Sequence, residues 1–136
     1  MKLTLLALAL TAAVLLSAPL TDASVSGTCG FIRASTPYSR HGRRDKWRVY
    51  ITGATSCRTA QQTLDAVMHL EAKEHLGADE AHSFFTYRGW SCPFGDMGSQ
   101  SCVLPARRSP KAQALALDCA VVAGGCPTRV PPGYFG

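Results

Sequence analysis

The chain reads as an α+β domain: one main helix packed on a small antiparallel sheet of three to five strands, stapled by disulfides. Three observations predict this. An even set of six cysteines follows an N-terminal export signal, one segment has helical periodicity, and several short segments show strand alternation bounded by turn residues.

The export signal is read first. Met1-Lys2 supplies a positive start, Leu3 to Leu16 is an apolar run of about 14 residues interrupted only by Thr4 and Thr11, and Pro19 ends it. A membrane-spanning helix needs roughly 20 apolar residues, so residues 1–23 read as a signal peptide cut after Ala23. No later run reaches that length, and no transmembrane segment is expected once the signal is removed. Residues 24–136, about 113 in number, then form a single secreted domain. The net formal charge of the chain is +5.

A domain of this size buries only about 60–65% of the surface its unfolded chain exposes, which leaves it marginally stable on its own. The cysteines offer what is missing. Cys29, Cys57, Cys92, Cys102, Cys119 and Cys126 would arrive in an oxidising compartment, where three bridges worth ~2–4 kcal/mol each are expected. The competing use of paired cysteines, a zinc site, needs spacings such as C-x2-C. The shortest interval here is the six residues between Cys119 and Cys126, with no histidine beside it. No metal and no cofactor is expected. Nearest-neighbour pairing is the simplest arrangement, though spacing alone does not compel it.

The elements follow in order. Thr28 to Ser35 reads as a first strand. In Trp47 to Thr52, Trp47, Val49 and Ile51 alternate with Arg48, Tyr50 and Thr52, the pattern of a half-buried strand. Pairing these two as a hairpin closed around His41 sets Cys29 roughly opposite Cys57. Thr59-Ala60-Gln61-Gln62 has the form of a capping box, and Ala60, Leu64, Val67 and Met68 recur at spacings of three and four, so the main helix is expected over Ala60 to Leu76 with Gly77 as its stop. Phe84 to Trp90 reads as a central strand that forms a hairpin with Ser101 to Leu104, with Cys92 and Cys102 near the loop. Residues 110–122 carry two signals. Ser109-Pro110 and Gly124-Gly125 would bound a helix, whereas Leu115, Leu117, Cys119 and Val121 alternate with Ala114, Ala116, Asp118 and Ala120 as in a strand, and the strand reading is preferred. Pro127 to Gly136 reads as extended and irregular.

The run Thr55-Ser56-Cys57-Arg58-Thr59-Ala60 opening a helix, followed by Arg88-Gly89-Trp90-Ser91-Cys92 and then Cys102, resembles a group of small secreted actinobacterial proteins. Their pattern is a Cys-x-x-Ala helix start, a Gly-aromatic-x-Cys strand and a cysteine on the next strand. The resemblance covers Trp47 to Leu104. It implies a fold and an extracellular location but no chemistry, because the group has no assigned activity. Cys29, Cys119 and Cys126 lie outside it.

Among functional features, Arg40-His41-Gly42-Arg43-Arg44-Asp45-Lys46-Trp47-Arg48 stands out with five cations in nine residues, flanked by Tyr38. Arg40, His41, Arg43, Arg44, Lys46, Trp47 and Arg48 are the candidate ligand-binding residues, suited to an anionic cell-wall polymer, nucleic acid or membrane surface; an extracellular protein is the other class of partner. Arg107, Arg108 and Lys111 would extend the patch if they fold beside it. The alternative for this stretch is a solvated loop that only confers solubility.

Two further classes are carried. Ser91 to Gly98 lies between two cysteines and holds Phe94 and Met97, the outline of a braced protease-inhibitor loop. An extracellular ribonuclease would need a carboxylate base, a histidine acid and phosphate-binding arginine, for which Glu71 or Glu74, His75 and Arg48 are the components. The stretch Val25-Ser26-Gly27-Thr28-Cys29 is similar to the start of some bacterial guanyl-specific ribonucleases, and the remainder is not. Asp65 with His69, and Glu71 with His75, sit four apart and meet on one helix face, where local ion pairing is the plainer reading and zinc ligation or a catalytic couple the sharper one, with His82 a further candidate. No catalytic residue is assigned, and a non-catalytic extracellular role is expected.

Overall fold

The β1 strand, Val25–Ala34, and β2, Asp45–Gly53, form an antiparallel hairpin from which α1, Cys57–Glu74, departs. After it come β3 (Phe84–Tyr87), β4 (Trp90–Pro93), β5 (Ser99–Leu104) and β6 (Ala112–Asp118). The computed structural model describes residues 25–36, 43–74, 84–93, 95, 98–130 and 132–135. Residues 1–24, and with them the expected signal peptide, lie outside the described set, as do Tyr38, Arg40, His41, His75, Gly77, His82, Phe94 and Met97.

One helix packs on one antiparallel sheet, and the sheet has six strands in the order β1-β2-β6-β5-β4-β3 rather than three to five. The difference has one local cause. Phe84 to Trp90 is not one strand: Arg88 and Gly89 both have positive φ, at 47° and 84°, and turn the chain between the paired residues Tyr87 and Trp90. Two consecutive positive φ values match the right-handed twist of a tight hairpin. The expected central strand is therefore a hairpin whose first arm, β3, lies at the edge. The strand preferred for residues 110–122 is β6, which closes the sheet by pairing with both β2 and β5.

The ambiguity of residues 110–122 resolves as strand over Ala112–Asp118, and nearly every residue of it is buried. A strand covered on both faces is buried at nearly every position, so the alternation of Leu115 and Leu117 with Ala114 and Ala116 separates large from small side chains rather than buried from exposed ones. On one face, Ala112, Ala114 and Ala116 join Trp47, Val49, Ile51, Trp90 and the helix stripe Ala60, Leu64, Val67 and Met68 in the main core. Burying side chains as large as Leu64 and Met68 contributes ~1.5–3 kcal/mol each. On the other face, Tyr50, Leu115 and Leu117 form a second, smaller core, covered by Val122, Cys126, Val130 and Phe135 of the C-terminal segment.

The helix begins earlier than the capping box suggested. Ser56 is the cap, with its Oγ accepting from the Thr59 backbone N–H at 3.1 Å, and helical residues start at Cys57. That start lets Cys57 bond to Cys29. The remaining bridges are Cys92–Cys102 and Cys119–Cys126, the nearest-neighbour pairing, and among the described residues no cysteine is free. No described helix is long and apolar enough to cross a membrane.

Candidate functional site

A bulge in β1 decides what the outer face of the β1–β2 hairpin presents. The register runs Thr28↔Tyr50 and then Phe31↔Arg48, with the extra residue absorbed where Gly30 takes a φ of 74°. Alternation alone would send Thr28 and Phe31 to opposite faces. The bulge restores both to the face away from the helix and leaves Cys29 turned inward to Cys57. The Gln61 side-chain amide donates to the Cys29 carbonyl oxygen and ties the same point to the helix.

Phe31 and Arg33 on β1 thus lie beside Arg48 and Lys46 on β2, with Arg33 directly opposite Lys46. Phe31 is 42% exposed, and its ring is approached by the Lys46 ammonium at 3.9 Å and the Arg48 guanidinium at 5.0 Å from the centroid. A cation over a ring face gains ~0.5–1 kcal/mol at an exposed site, so Phe31 holds these charges in place.

The candidate binding residues separate accordingly. Lys46, Arg43 and Arg44 are exposed, and Arg33, which the charge run did not include, joins them. Arg43 Nε lies 3.3 Å from Asp45, while Arg44 donates to the Arg33 carbonyl oxygen at 2.7 Å and stands 3.8 Å from Asp65. Trp47, 1% exposed, belongs to the main core and is absent from this surface. Arg48 is half-buried, and its Nη1 donates to the Cys126 and Pro127 carbonyl oxygens at 3.3 and 3.2 Å, so it chiefly holds the C-terminal segment. Lys111 hydrogen-bonds Leu104 and Ala54 at the other end of β2, roughly 23 Å along the strand from Lys46. Lys111 and its neighbours Arg107 and Arg108 do not extend the patch. The signal that would have found Arg33 is its place on the paired strand, which needs the register and hence the bulge.

A cleft of about 460 Å³ opens where this hairpin meets the helix, lined by Ala34, Ser35, Arg44, Asp65, His69 and Ala72. Asp65 and His69 do share one exposed helix face there. Glu71 does not: at 2% exposure it is buried on the opposite side of the helix, and its Oε1 accepts the Gly95 backbone N–H at 3.2 Å. Burial pushes its carboxyl group from the ordinary 4.5 to about 7, against the opposing pull of that N–H. Since Glu71 lies under the sheet and Arg48 on its outer face, the structure does not assemble these two ribonuclease components into one site. The side chain of Glu74 lies outside the described set. Among the described residues no group of three or more His, Cys, Asp or Glu is placed to hold a metal.

Comparison of the chain with protein-family models, curated proteins and solved structures finds no match.

Proposed function

We propose that this chain is a secreted, disulfide-stapled binding module that holds anionic polymers on the strand face built from Arg33, Lys46 and Phe31, with Arg43 and Arg44 at its rim. The three disulfides fit an oxidising, extracellular setting. The observation that carries the binding role is the register pair Arg33↔Lys46. Like charges directly opposite on neighbouring strands destabilise a sheet, and the outward positions of the hairpin, Ser26, Thr28, Phe31, Arg33, Lys46, Arg48, Tyr50 and Thr52, hold no carboxylate to offset them. A polyanion supplies the missing countercharge, steered by the local field.

The test is retention on heparin at low salt. The double variant Arg33→Ser with Lys46→Ser is expected to lose retention while its melting temperature changes little, the relieved repulsion offsetting the lost contact of Lys46 with the Phe31 ring. Retention equal to that of the unaltered protein would remove this face from the binding role.

A second reading, protease inhibition through the β4–β5 loop, has one supporting feature: that loop is anchored by Cys92–Cys102, by Gly95 on Glu71 and by Gln100 Nε2 donating to the Pro93 carbonyl oxygen at 2.9 Å. Rigid loops lose little entropy on docking. Stoichiometric loss of subtilisin or trypsin activity on titration with the oxidised protein would favour it.

A further inference from the structure

We infer that the cleft beside Arg44 is a glycan subsite, so that the polymer taken by this protein is an anionic polysaccharide rather than a polyanion without hydroxyl groups; this rests on the cationic-face reading above. The cleft, at about 460 Å³, falls within the ~300–1,000 Å³ of small-molecule sites. Its chemistry is mixed where that of the neighbouring face is purely cationic. Arg44 bridges the two, with its guanidinium on the Arg33 carbonyl oxygen and 3.8 Å from Asp65. At that distance, with both side chains more than half exposed, the ion pair is loose and screened, and each partner retains capacity for a ligand.

A carboxylate only accepts hydrogen bonds, and it repels a simple polyanion. Asp65 in the wall of an anion-binding surface is therefore a penalty for a chain of bare phosphates and a benefit for a ligand that brings hydroxyl donors with its negative charges. His69, one turn along the helix, offers ring nitrogens of the kind that serve hydroxyls, and the partly exposed Ala72 gives small apolar ground for a sugar ring, over the buried Ala34. Because Arg33 and Lys46 face away from the helix and the cleft opens toward it, the polysaccharide would pass round the edge of the hairpin, with its acidic groups on Arg33, Lys46 and Arg43, one sugar unit in the cleft, and Arg44 taking the acidic group at the crossing.

The test compares two soluble probes at one ionic strength: polygalacturonate, which carries carboxylates and free hydroxyls, and long-chain polyphosphate, which carries charge alone. The unaltered protein is expected to bind polygalacturonate about tenfold more tightly, the scale of a hydrogen bond to a charged group. In Asp65→Asn that ratio falls several-fold, because polyphosphate binding improves while polygalacturonate binding does not. In His69→Ala it falls through weaker polygalacturonate binding alone. Both side chains are exposed, so neither change threatens folding. Equal or reversed preference in the unaltered protein, or a ratio unmoved by Asp65→Asn, overturns the subsite while the cationic face stands. Failure to bind either probe overturns both.

Discussion

The Tyr50 hydroxyl donates to the carbonyl oxygen of Pro127 at 2.7 Å, across 77 residues of chain, and fastens the C-terminal segment to the centre of the sheet. Burial raises the phenol's pKa above its ordinary value, outweighing the nearby Arg48 guanidinium, so the proton needed for this bond stays in place. Tyr50→Phe should cost about 1 kcal/mol, read as a lower urea midpoint. Arg48→Met should lower the melting temperature further, since it takes a donor from two carbonyls, whereas Lys46→Ser on the same strand face should change it much less, because the lost contact with the Phe31 ring is offset by relief of the repulsion from Arg33. Equal effects of Arg48→Met and Lys46→Ser on melting would contradict the division of labour between them.

Glu71 should give the protein a falling stability between about pH 4.5 and 7. Below this window both folded and unfolded chains hold the proton. Within it the unfolded chain releases the proton and the folded chain keeps it, so the unfolded state gains as pH rises; above it the full loss of ~3 kcal/mol at most is reached. Glu71→Gln keeps an acceptor for Gly95 and cannot ionise. Melting curves should show the variant more stable at pH 8 and nearly level with the parent at pH 4; an unchanged slope between those values would exclude Glu71 as its source.

The three bridges should differ in what they stabilise. A chain-entropy account gives ~2.4 kcal/mol for the short Cys119–Cys126 loop and ~3.6 kcal/mol for Cys29–Cys57, whose sequence separation is 28. Replacing Cys119 and Cys126 by serine should lower the melting temperature less than replacing Cys29 and Cys57, yet it should speed tryptic cleavage at the exposed Arg129 more, because it frees the segment over Tyr50 and Leu117.

Gly53→Ala should be among the costliest changes of small size. Gly53 has a φ of 87°, and an added Cβ would meet the Lys111 carbonyl oxygen and come within 2.8 Å of the Ala112 Cα, both backbone atoms with little room to yield. A loss of about 2–3 kcal/mol is expected, measured as a shift of the denaturant midpoint with an unchanged slope.

Local signals were legible where one element decided them. The stripe Ala60, Leu64, Val67 and Met68 and the alternation of Trp47, Val49 and Ile51 read correctly because each answers to a single buried face. The β3–β4 turn is not legible in the sequence because Arg88 at a positive φ has no compositional mark, and only the pairing of Tyr87 with Trp90 reveals it. Glu71 sits three residues beyond Met68 on that stripe, so its burial was readable from spacing, but a charged residue there conventionally suggests the stripe has ended.

The sequence by itself determined the α+β class, the helix and its buried face and a set of six cysteines, because periodicity and composition act over a few neighbouring residues; for residues 110–122 it left strand and helix both open. Tertiary structure decided that there are six strands, that Arg33 rather than Trp47 stands beside Lys46, and that Arg44, Asp65 and His69 meet around one cleft. The strand count turns on the reversal at Arg88-Gly89, the placement of Arg33 beside Lys46 on the single extra residue absorbed at Gly30, and the cleft on the docking of the hairpin against the helix, and each of these joins residues distant in sequence.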